Sequence, residues 1–132
     1  MCFTIHSKHS KEKIAKKDIT CYKILNNFNL HSPYQYFKYS LGKLESTKIR
    51  KITNCSNIKD YDIISNGFHS FSNYKKSLKE SRTFSINTSS FINTSSFTKP
   101  FRCIIPKGST YYYNPKHEEY VSNKIIVIEE LN

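Results

Sequence analysis

A chain of 132 residues provides for one domain with a single modest core. Only 37% of it is hydrophobic, but ten Tyr and nine Phe offset the deficit and argue against disorder throughout, since each ring buries a large apolar area at small rotamer cost. A net charge of +11 attracts phosphate backbones, anionic membranes or acidic proteins, and the longest apolar run, IIVI at residues 125–128, is far too short to span a bilayer as a helix.

The charge is uneven. Residues 1–60 hold twelve Lys/Arg against four Asp/Glu, and residues 61–132 hold nine against six. An AT-rich genome also favours Lys, Asn, Ile, Tyr and Phe, so a merely solubilising surface is the alternative to a binding one. The four cysteines, Cys2, Cys21, Cys55 and Cys103, form no C-x-x-C pair, and MCFTIHSKHSK lacks the apolar region of a signal peptide. Reduced thiols in an intracellular compartment are therefore expected.

Residues 1–17 open with a short apolar piece and continue as a basic N-terminal segment, KHSKEKIAKK. Cys2, His6 and His9 are spaced C-x3-H-x2-H, but a zinc site needs a further ligand and no second ligand pair is present. No metal is expected, and the histidines read as part of a solvated basic segment. Asp18 caps or turns the chain into ITCYKIL, residues 19–25, whose β-branched and aromatic residues predict a buried strand with Cys21 in the core. After the His31-Ser32-Pro33 turn, YQYFKY at 34–39 predicts a half-buried strand. Gly42 marks a turn, residues 45–53 a weakly apolar basic strand with Ile49 and Ile52, and residues 54–62 a loop. Ile63-Ile64 then leads into the turn Ser65-Asn66-Gly67 and the strand Phe68-His69-Ser70-Phe71. Ser72 is placed to cap a helix over residues 72–82, where Lys76 and Glu80 pair at i,i+4.

Residues 83–99 contain a direct repeat, INTSSF at 86–91 and again at 92–97. Two short copies cannot build a solenoid, so the segment reads as a low-complexity surface loop, with a Ser/Thr-rich flap over a site as the alternative. FRCII at 101–105 predicts a core strand containing Cys103. A Pro106-Lys107-Gly108 turn follows, then three consecutive tyrosines, and residues 120–128 predict the last strand. At least six strands with one or two helices make an α+β, strand-dominated single domain.

This order of elements resembles the ADP-ribosyltransferase-like fold, a split barrel. In that family a GF-x-S-x-S strand is followed by a helix, an I-x-I-P-x-G strand and turn, and a last strand whose glutamate activates the acceptor. Gly67-Phe68-His69-Ser70-Phe71-Ser72 looks like the central motif, CIIPKG at 103–108 like the strand and turn, and residues 120–128 take the place of the last strand. The likeness covers about residues 18–130. Tyr22-Lys23 stands where the family has an arginine, and no E-x-E or Q-x-E precedes the last strand, which implies a non-catalytic relative. A catalytic version would use NAD, with Glu118 or Glu119 supplying the carboxylate, Ser70 supporting the nicotinamide ribose and Tyr36 or Tyr113 stacking. The KDI-x-x-YK opening and the I-P-K-G-S-x-YY turn are also similar to small proteins of phages and large DNA viruses, which implies a viral accessory or virion-associated protein in host cytoplasm or virion.

Two constellations bear on chemistry. His69, on a strand with Ser70 beside it, suits a general base or a phosphate ligand, and the alternative is a half-buried histidine bonded to backbone. Tyr34, Tyr36, Tyr39 and Tyr111–Tyr113, interleaved with Lys38, Lys43, Lys107 and Lys116, resemble a stacking-plus-phosphate surface for single-stranded nucleic acid. Strand alternation sends about half of such rings inward. No RNP, KH or Gly-rich phosphate loop is present, so sequence-specific readout is not expected. The expected function is binding without catalysis or cofactor. Tyr36, Lys38, Tyr113 and Lys107 would engage an acidic partner: nucleic acid, a nucleotide-like ligand or an acidic protein surface. The alternative is an NAD-dependent transferase or nucleotide-processing enzyme using His69, Ser70 and Glu119.

Overall fold

The β-branched and aromatic runs pair edge to edge in the computed structural model, which describes residues 3–32, 37–52, 60–80 and 98–131. A three-stranded sheet has the order β1-β6-β5, from β1 (Phe3–His6), β6 (Tyr61–Ser65) and β5 (Arg50–Ile52). An eight-stranded sheet has the order β2-β9-β10-β7-β3-β8-β11-β4. Its strands are β2 (Lys13–Ile14), β3 (Ile19–Asn26), β4 (Leu44–Ser46), β7 (Phe68–Phe71), β8 (Thr98–Ile105), β9 (Thr110–Asn114), β10 (Glu119–Ser122) and β11 (Lys124–Glu130). Every strand pairing is antiparallel, and one α-helix, α1 at residues 74–80, is present among the described residues. The fold is therefore α+β and strand-dominated, as expected. No helix among the described residues is long and apolar enough to cross a membrane.

The large sheet is two four-stranded halves joined at a single residue pair, Tyr22 on β3 opposite Phe71 on β7. Each half has its own core. Cys21, Leu25, Phe68, Phe101, Cys103, Ile105, Ile125 and Val127 build one around β3, β8 and β11, with Tyr39 inserted from the connection before β4. Phe3, Ile5 and Ile64 of the small sheet pack on Tyr112 and Val121 to build the other. The period of two along each strand sends alternate residues to opposite sides, so one sheet serves both cores.

Several expected elements change shape. Residues 45–53 are not one strand: β4 joins the large sheet beside β11 and β5 joins the small sheet beside β6, with Thr47 N–H bonded to Asn123 C=O between them. The expected last strand likewise breaks at Asn123, which hands the chain from β10 in one half to β11 in the other. There the Asn123 N–H and side-chain oxygen both bond Thr110. Phe37 to Tyr39 lie outside any strand, with only a bridge between His31 and Lys38, and residues 33–36 are outside the described residues. β8 begins at Thr98, inside the expected loop, whose repeat also lies outside the described residues.

Capping moves by one residue. Asn73, not Ser72, caps α1, because its Oδ1 accepts from the N–H groups of Lys75 (2.8 Å) and Lys76 (3.3 Å). The Ser72 hydroxyl instead meets Glu118 C=O (3.2 Å) and Tyr113 Oη (3.3 Å). The expected Lys76–Glu80 pair forms at 3.8 Å. Asp18 accepts the Lys107 N–H at 2.8 Å and so caps the distant turn at residues 106–108.

Candidate functional site

His69 and Ser70 are neighbours on β7 and therefore leave it on opposite faces. His69 turns toward the small sheet, its ring edge-on to Phe3 with centroids 5.6 Å apart. Ser70 turns to the other core and is buried beside Cys21. Glu119 on β10 lies opposite Phe71 and so shares the His69 face, one register step along. The three residues do not converge on one cleft. Burial, and then the charge of Lys23, lower the His69 pKa to about 4, which leaves a neutral imidazole at pH 7. Burial and the charge of Glu80 raise the Glu119 carboxyl, against the opposing pull of Lys76.

The junction of the sheet halves holds a buried lysine. Lys23 on β3 is 5% exposed, and its Nζ donates to the His69 carbonyl just past the point where β3 and β7 stop pairing. The same Nζ lies 5.2 Å from the centre of the Tyr39 ring. Cys21 and Cys103 oppose each other across β3 and β8 as free, fully buried thiols. Burial works against ionising Cys21, but Cys103, Ser70 and Lys23 together hold its pKa below the usual thiol value. Burial pushes Cys103 well above that value, and its neighbour Cys21 pushes it further. Ser70 Oγ approaches Cys21 without forming a hydrogen bond of ordinary geometry, and Tyr39 Oη and His69 Nε2 also lack a partner among the described residues.

No carboxylate pairs with Lys23 among the described residues. A buried ammonium whose described neighbours are a carbonyl, a ring and the nearby Cys21 thiol, with no carboxylate, costs more in desolvation than these contacts return. Lys23→Met, which keeps the stem and removes the charge, is therefore expected to stabilise the fold by about 1 kcal/mol in urea denaturation. A loss of stability of that size would instead show an anion beside the ammonium, with Cys21 the candidate.

The expected ligand residues scatter. Lys38 is exposed in the connection between β3 and β4, and Tyr36 is outside the described residues. Lys107 is exposed in the turn before β9 and Tyr113 lies near the other end of that strand, roughly 10 Å beyond its first residue. The three tyrosines alternate as strand geometry requires. Tyr112 is buried under the small sheet, whereas Tyr111 and Tyr113 flank Tyr120 on the opposite face, with ring centroids 5.7 and 4.9 Å apart. Burial raises the Tyr120 phenol pKa, with its tyrosine neighbours adding to it.

A different set of residues does come together. Where β1 and the 3-10 turn Ser7–His9 meet the turn between β9 and β10, His6, Lys8, His9, Tyr61, Lys116 and His117 line a pocket of about 280 Å³. No carboxylate among the described residues lines it. Asn114, also at its wall, is buried and ties the two sides together: its Nδ2 donates to Thr4 C=O (3.3 Å) and its Oδ1 accepts the Lys116 N–H (3.1 Å). The His6 ring lies edge-on to Tyr61 at 5.2 Å and to His9 at 6.4 Å. These histidines are half-buried in a built corner of the fold, not on a loose solvated segment, because Ile5 and Ala15 anchor the chain on either side. No cluster of His, Cys, Asp or Glu suited to a metal ion occurs among the described residues, and Cys2 lies outside them.

Sequence reasoning picked out His6 and His9 only as metal candidates and missed their partners. Lys116 and His117 sit about 110 positions away, and no local pattern links the two segments. No family model, curated protein or solved structure matches the chain.

Proposed function

We propose that this protein works by binding an acidic partner, nucleic acid foremost, and not by catalysis. The observation that supports this reading is the pocket between the small sheet and the β9–β10 turn, where two lysines and three histidines gather without a lining carboxylate. Such a concentration of donors and positive charge disfavours a cationic ligand and draws an anionic one. The Tyr111–Tyr120–Tyr113 row on the opposite face adds half-buried rings that suit base stacking, and Lys13 lies opposite Tyr111 in the register. An accessory role in a virion or a viral complex fits the sequence likeness to small viral proteins.

Charge-driven binding has a clear signature. Affinity for single-stranded DNA or RNA is expected to fall at least about tenfold between roughly 50 and 200 mM salt, as released counterions require. Fluorescence anisotropy at a series of salt concentrations measures the slope, and a flat slope removes nucleic acid as the partner.

A further inference from the structure

We propose that the pocket lined by His6, Lys8, Lys116 and His117 recognises the terminal phosphomonoester of a nucleotide or nucleic-acid strand. This inference rests on the acidic-partner reading and specifies its ligand.

Donors from separate segments line one small pocket. Lys8 and Lys116 bring two ammonium groups from different elements, the 3-10 turn and the β9–β10 turn, and neither pairs with a carboxylate among the described residues. His6 Nδ1 accepts the Lys8 N–H at 3.2 Å. Its Nδ1 therefore carries no proton in this arrangement, which places the ring proton on Nε2 and makes that nitrogen a donor. The nearest carboxylates in sequence, Asp60 and Asp62 on either side of Tyr61 and Glu118 beside His117, do not line the pocket, and the buried Asp62 accepts from the Ser10 hydroxyl. Asn114 ties the β9–β10 turn to Thr4 of β1, the strand that leads into the 3-10 turn, so the backbone at the pocket wall is fixed while the exposed Lys8 and Lys116 side chains close on the anion.

Size and charge select the ligand. A pocket of about 280 Å³ stands at the small end of the range for small-molecule sites, enough for a phosphate with its sugar but not for a duplex. A phosphomonoester is close to dianionic at pH 7 and offers three terminal acceptor oxygens, matching two ammonium groups and an imidazole N–H. An internal phosphodiester carries a single charge and two free oxygens, and its chain must leave the site in two directions. The His6 and Tyr61 rings give the sugar an apolar wall.

The test compares short oligothymidine strands bearing a 5′-phosphate, a 3′-phosphate or no terminal phosphate, together with thymidine monophosphate and inorganic phosphate as competitors. Binding to the full chain is read by anisotropy at fixed salt. At least one phosphorylated strand is expected to bind about tenfold or more tightly than the unphosphorylated one, with the advantage abolished by excess inorganic phosphate. Lys8→Ala and Lys116→Ala are each expected to remove most of that advantage while leaving the thermal midpoint unchanged. Competition by the monophosphate at the same concentration as the strand end assigns the ligand as a free nucleotide; weaker competition assigns it as a strand terminus. Equal binding of all three strands overturns the proposal but leaves charge-driven nucleic-acid binding standing. No binding of any strand or of the monophosphate overturns both.

Discussion

Gly67→Ala is expected to destabilise the protein by about 4 kcal/mol, combining backbone strain with a collision in the core. Gly67 has φ +124°, a conformation side-chain-bearing residues rarely adopt. A Cβ there would lie 2.6 Å from Val121 Cγ2, 3.3 Å from the Ser122 carbonyl and 3.4 Å from Ile49 Cγ1. Val121 is fully buried in the core under the small sheet and cannot retreat without moving β10. Gly108→Ala is the control. It also has a positive φ, +89°, but nothing lies within 4 Å of its added methyl, so only the backbone cost of about 1–2 kcal/mol applies. Urea denaturation of the two variants separates the terms, and equal losses would show that the β7–β10 contact gives way.

Acidification should weaken the fold through His69. Its pKa is lowered to about 4 in the folded protein from an ordinary value of 6.5. Above pH 6.5 the imidazole is neutral in both folded and unfolded chains, and the full stability is present. As pH falls from 6.5 to 4 the unfolded chain takes up a proton that the folded chain refuses. Stability therefore drops over that window, by at most about 3 kcal/mol. Glu119 works in the opposite sense, because its raised carboxyl takes up a proton in the folded state first. The difference between wild type and His69→Gln isolates the histidine: the variant should keep its urea midpoint better between about pH 6.5 and 4.5. Parallel pH profiles for the two proteins would place His69 in contact with water.

Much of the fold was legible locally. ITCYKIL became most of β3, FRCII the C-terminal part of β8, and FHSF became β7 directly after an Asn66-Gly67 turn in which both residues have positive φ. These runs combine β-branched and aromatic residues with turn residues, and that chemistry acts over a few positions. Cys21 and Cys103 were legible as core for the same reason. The breaks at residues 47–49 and at Asn123 were not. Both segments are extended on either side of the break, and the break exists because each half finds a different sheet to pair with.

By itself the sequence determined the fold class, the excess of positive charge, the turn that needs Gly67, and the opposite facing of His69 and Ser70, since alternation requires only that both lie on one strand. Only the tertiary structure decided which residues meet. It buried Lys23 where two sheet halves part, and it set residues 6–9 against residues 116–117 across Asn114. Strand periodicity specifies which face a side chain takes but not which strand lies alongside, and a pocket assembled from four segments depends on the second choice.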